Sequence, residues 1–116
     1  MKDSQVGASV VARQSRQSAE KMLRECLEDG EVLPSKHFLE ELAKEGVNFQ
    51  DAHIVLRAGR IYNEPEEDIR TGEWKYQIEG KEPDGRNLGI VFCFKAIRRT
   101  FLITVFSVTT ARKRKR

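Results

Sequence analysis

The chain has 116 residues, 39% hydrophobic and 34% charged, with two cysteines. That describes one globular unit able to bury its own core, neither a disordered polyelectrolyte nor a disulfide-stapled miniprotein. No apolar run is long enough to span a bilayer and no signal-like segment opens the chain, so a reducing, cytoplasmic setting is expected. Net charge is +3, but five of the positive charges sit in Arg112-Lys113-Arg114-Lys115-Arg116. Without that run the chain is weakly acidic. The run itself reads as an arm that attracts nucleic acid or as a solvated tail.

From the first residue to about Gln14 there is little periodicity, so residues 1–14 are expected to be loose or to order against a partner. A single domain is expected over 15–110 and a basic tail over 111–116. Ala19, Met22, Leu23, Cys26 and Leu27 recur at helical spacing and predict an amphipathic helix. Ser15 or Ser18 would cap its start, and Gly30 would end it. Glu31-Val32-Leu33 is a short extended piece before Pro34. Ser35 caps a second helix whose apolar stripe is Phe38, Leu39, Leu42 and Ala43, stopped by Gly46. Asn48 caps a third, with Asp51 favourable at its positive end, a Val47–Ala52 staple, and Gly59 as terminator.

Arg60-Ile61-Tyr62-Asn63 predicts a short strand, and residues 64–68 an acidic loop that Pro65 keeps out of any sheet. Trp74-Lys75-Tyr76-Gln77-Ile78-Glu79 alternates apolar and polar, the mark of a strand with one buried face. Pro83-Asp84-Gly85-Arg86 is a turn by residue type. Leu88 to Phe94 and Phe101 to Phe106 are strands apolar on both faces, which predicts central strands covered on each side. Ala96-Ile97-Arg98-Arg99 joins them. The fold class is therefore α+β: two to three N-terminal helices on a curved antiparallel sheet of about four strands. Cys26 and Cys93 read as buried free thiols.

No glycine-rich phosphate loop, paired-cysteine zinc pattern or serine elbow is present, and His37 and His53 have no third ligand nearby, so neither a metal nor a cofactor is expected. His37, in the first turn of the second helix, can act as general acid or base, or simply bond the local backbone. Lys75 and Gln77 share one face of their strand, opposite Trp74, Tyr76 and Ile78. With Glu79 and Arg86 that face can hold a phosphodiester, or be a solvated edge. Trp74 and Tyr76 can stack on bases or fill the core. The arginines Arg57 and Arg60 join Lys75 and Arg86 as candidate RNA-binding cations.

The order and spacing of Ser35-Lys36-His37-Phe38, Glu45-Gly46-Val47-Asn48-Phe49-Gln50-Asp51, Leu56-Arg57-Ala58-Gly59-Arg60-Ile61, Trp74 to Gly80, Asp84-Gly85-Arg86-Asn87-Leu88 and Leu102-Ile103-Thr104-Val105 resemble a bacterial family. These are small domain-of-unknown-function proteins encoded beside zinc-finger antitoxins of the YgiT type. The resemblance implies a RelE-like or MqsR-like toxin fold and a type II toxin: a metal-independent endoribonuclease acting on RNA and neutralised by a cognate antitoxin. In that reading the RNA 2′-hydroxyl is the nucleophile. The catalytic candidates are His37 as acid or base, Tyr76 as proton donor or stacker, and Lys75 with Arg86 on the phosphate. His37 is the clearest match to the family, whereas Lys75, Tyr76 and Arg86 follow from residue type and strand position. Two other classes stay open. One is a non-catalytic protein-binding module of the same fold, which self-associates or takes a partner strand or helix. The other is a nucleic-acid-binding regulator that uses the tail.

Overall fold

The computed structural model describes residues 10–108, and everything below concerns those residues. Helix α1 spans Arg16–Asp29, strand β1 Glu31–Pro34, α2 Lys36–Glu45 and α3 Phe49–Ala58. Strands β2 (Arg60–Ile61), β3 (Glu66–Glu67), β4 (Trp74–Lys81), β5 (Asn87–Ala96) and β6 (Arg99–Ser107) follow.

Each helix starts where its sequence offers a side-chain acceptor to an orphan backbone donor. Ser15 Oγ accepts from the Ser18 N–H, Ser35 Oγ from Phe38, and Asn48 Oδ1 from Asp51. Gly46 closes α2 at φ 71°, a conformation that costs glycine little. Ser35 also ties the start of α2 to β6, because its hydroxyl donates to the Ile103 carbonyl at 3.0 Å.

The sheet has the order β1-β6-β5-β4-β2, with β3 also paired to β4. The pairings β4–β5 and β5–β6 are antiparallel, as expected. β1 runs parallel to β6, so the sheet is mixed and six-stranded rather than an antiparallel sheet of about four. β1 also lies between α1 and α2, so the helices do not form one uninterrupted N-terminal block. Glu66-Glu67, expected in a loop, forms a two-residue strand. Pro65 precedes it, so no ladder donor is lost.

All three helices cover one face of the sheet. Leu23, Phe38, Leu42, Val55 and Leu56 pack there on Tyr76, Ile78, Ile90, Phe92, Leu102 and Val105. Each side chain of this size contributes about 1.5–3 kcal/mol on burial. The opposite face of β4, β5 and β6 carries no helix. β5 and β6 are therefore central but not covered on both sides: Val91, Phe101, Ile103 and Phe106 are only partly buried. Cys26 and Cys93 are buried free thiols, one in each layer.

Of the segment 1–14 expected to be loose, residues 1–9 lie outside the described residues, while Arg13 and Gln14 are tied to the domain. The Gln14 N–H donates to the Tyr76 hydroxyl at 2.8 Å, Arg13 pairs with Glu64 at 2.9 Å, and the Arg13 guanidinium lies 5.4 Å from the Trp74 ring centre. The basic tail lies outside the described residues.

Candidate functional site

The uncovered face is where polar chemistry collects. Strand alternation sends Tyr76 and Ile78 into the core and Lys75 and Gln77 outward. On β5, Gly89, Val91 and Cys93 share that outward face, and the register sets Phe106, Thr104 and Phe101 opposite them. The pairing shifts between Val91 and Phe92, which face Thr104 and Leu102 and leave Ile103 as the extra residue. Such a bulge bends the strand and re-aims its side chains. Ile103 and Thr104 thereby both border one hollow of about 280 Å³, with Lys75, Gln77, Val91, Asn63, Glu64 and Glu66 around it.

The charges around this hollow are unevenly engaged. Glu64 is held by Arg13 and Arg16. Glu73 takes Lys95 at 2.7 Å, and that bond is the main cause holding the Lys95 ammonium above its ordinary pKa. Gln77 donates to Glu79 at 2.7 Å. Lys75 has neither a hydrogen bond nor an ion pair among the described residues, although Glu66 is its direct cross-strand neighbour. Its one described carboxylate influence is at longer range, on Asp68, and a cation without a close counter-ion in a polar recess is an arrangement that receives an anionic ligand.

The expected catalytic residues do not gather here. The Tyr76 ring is buried, stacked on Phe92 with centroids 5.5 Å apart, and its hydroxyl is occupied by Gln14. Burial is the main cause that pushes its pKa up. It borders the hollow but turns its ring away, so the stacking and proton-donor roles give way to a core role. His37 stands exposed on α2, in the helical layer, with the sheet between it and Lys75. Arg86 lies at the far hairpin. Its Nε donates to Glu82 at 3.2 Å and its guanidinium faces Glu45 at 3.8 Å. From the Lys81–Asn87 pair beside it to Lys75 is roughly 20 Å of strand. Of the two remaining candidate cations, Arg57 contacts His53 and Arg60 pairs with Glu20. Of the expected set, Lys75 and Tyr76 border the hollow, and Lys75 is the one cation among them.

The sequence places Glu66 in an acidic loop, as a solvated or cation-chelating residue, and not on a strand opposite Lys75, because two glutamates after a proline carry no strand signal. Reading the sequence alone overlooks Phe101, Thr104 and Phe106 as a common surface, because a bulge breaks the alternation that would have sorted them. Among the described residues no group of three or more His, Cys, Asp or Glu could hold a metal ion, and no helix is long and apolar enough to cross a membrane.

Fold and hollow together define an α+β domain with one helical face and one open sheet face. The family model described as a domain of unknown function, DUF4258, matches residues 34–107. The chain belongs to that family. The matched part begins at the last residue of β1, so α1 precedes it. No curated protein and no solved structure matches the chain.

Proposed function

We propose that this protein is the RNA-cleaving toxin of a type II toxin–antitoxin pair, RelE-like in fold, working on the open face of its sheet. The observation that carries the reading is Lys75, a cation that makes no hydrogen bond or close ion pair among the described residues, set in a recess beside Gln77 and Thr104. A phosphodiester acquires charge as it is attacked, and a fixed ammonium in a partly enclosed site stabilises that charge. Phe101 and Phe106 add aromatic surface on either side, suited to unpaired bases. The reading keeps Lys75 and releases His37, Tyr76 and Arg86 from the chemistry. Arg57 and Arg60 remain peripheral cations at most.

The test is incubation of the purified protein with messenger RNA in the presence of a chelator. Cleavage that falls about 100-fold in Lys75→Ala supports the reading. Intact RNA at molar excess of protein overturns it.

A second reading, a protein-binding module without activity, is favoured by the apolar strip of Val91, Phe101, Ile103 and Phe106 on the same face. In that case the protein encoded beside it forms a stable complex, and neither partner removal nor Lys75→Ala changes RNA integrity. An antitoxin that covers the strip would join the two readings, since it would block the hollow.

A further inference from the structure

Of the acidic residues on and beside β3, Glu66 and Glu67 make no hydrogen bond or ion pair among the described residues, and of these two Glu66 borders the hollow. Glu64 is held by two arginines, Asp68 caps the following turn through the Arg70 N–H, and Glu73 holds Lys95. Glu66 lines the hollow and makes no hydrogen bond or ion pair among the described residues. Its register partner across the ladder is Lys75. Directly opposed residues of an antiparallel pair lie on the same face, with Cβ atoms about 4.5–5.5 Å apart. Such a Lys–Glu pair ordinarily closes into a salt bridge, yet here both heads stay apart and both edge the same recess. A carboxylate and an ammonium separated by a small polar space are the two groups that phosphodiester transfer needs.

We propose that Glu66 is the general base of this site and Lys75 its electrophilic partner, an assignment that rests on the RNA-cleaving reading above. Glu66 takes the proton of a ribose 2′-hydroxyl. The 2′-oxygen forms a bond to phosphorus, and the bond from phosphorus to the 5′-oxygen breaks. Lys75 faces the non-bridging oxygens and gives a proton to the departing 5′-oxygen, recovering it from water as Glu66 releases its own. The products are a 2′,3′-cyclic phosphate and a 5′-hydroxyl, with no metal, oxidant or other co-reactant. Strand β3 thus becomes a catalytic arm: two residues whose ladder to β4 holds a base opposite a cation.

The experiment measures cleavage of a short single-stranded RNA across pH by the wild type, Glu66→Gln and Glu66→Asp. Binding of the same RNA with 2′-deoxyribose throughout is measured beside it, and thermal unfolding controls for folding of each variant. The expected result is a loss of about 100-fold or more in Glu66→Gln, with partial recovery in Glu66→Asp. The acid limb of the pH profile should vanish in Glu66→Gln, while binding of the deoxy strand is unchanged or tighter. Wild-type cleavage with Glu66→Gln within a few-fold and the same acid limb overturns the base assignment and leaves the RNA reading standing. No cleavage by the wild type at any pH overturns both.

Discussion

The ring of Phe106 lies over Gly89 on the open face, so that a Cβ on Gly89 would stand 2.6 Å from Phe106 Cζ. The backbone at Gly89 is an ordinary strand, and what excludes a side chain there is the ring. Gly89→Ala must lift that ring off the sheet. It should cost about 1–3 kcal/mol, the usual range for overpacking. Adding Phe106→Ala should cancel most of this cost, and a urea-denaturation double-mutant cycle measures the coupling.

Gly59 is more constrained. A Cβ there would meet the carbonyl oxygens of Glu79 and Val55, both at 2.6 Å. Backbone oxygens held in a ladder and a helix cannot swing aside as a ring can. Gly59→Ala should therefore destabilise more than Gly89→Ala, and the two denaturation midpoints give the order directly.

Tyr76→Phe removes one hydrogen bond and leaves the stacked ring in place. A loss of about 0.5–1.5 kcal/mol is expected, with the Gln14 amide left without its acceptor. Hydrogen exchange at Gln14 should accelerate. RNA cleavage should stay at the wild-type rate, whereas a catalytic phenol would lose it.

Glu82 shapes the response to acid. Its carboxylate accepts from the Asp84 N–H, and from the Arg86 N–H and guanidinium, and these bonds, the Asp84 amide foremost, hold its pKa below the ordinary 4.5. A carboxyl whose pKa is lower in the folded state stabilises the fold above its unfolded pKa. That stability is lost as pH falls through the folded value. The β4–β5 hairpin should loosen below about pH 4.5, and Glu82→Gln should flatten this part of the stability profile. Chemical denaturation from mildly to strongly acidic pH would reveal the slope and its loss.

Both thiols should be silent in the native protein. Burial is the main cause that pushes Cys93 up to about 11, and it raises Cys26 as well. The thiolate is the reactive form, so a thiol-specific reagent near neutrality should find no reactive cysteine before unfolding and two after. Rapid labelling of the native chain would show that the side chains packed around Cys93 or Cys26 open.

The helices are legible in the sequence because each is written locally. Ser15, Ser35 and Asn48 announce the starts, Gly30, Gly46 and Gly59 the ends, and the apolar spacing between them the buried face. The long strands are legible for the same reason, and the alternation of Trp74 to Glu79 already separates Lys75 from Tyr76. Pairing is not. Nothing in Glu31 to Pro34 says that it will meet Arg99 to Leu102, since the contact depends on the whole chain between. The open face escapes as well: a strand apolar on both sides looks the same whether its second side meets a helix or a ligand. His37 and Arg86 stand out by their chemistry, and chemistry without position does not show that a sheet separates the one from Lys75 and about 20 Å of strand the other.

The parallel seam between β1 and β6 has a consequence for how the molecule is born. β6 sits between β1 and β5, yet it is the last of these strands to leave the ribosome. Until it emerges, β1 has no neighbour and α1 no finished floor to rest on. The sheet therefore closes in one late, long-range event. An interrupted translation product that stops before Arg99 would expose two raw edges and remain a target for proteases rather than an active protein.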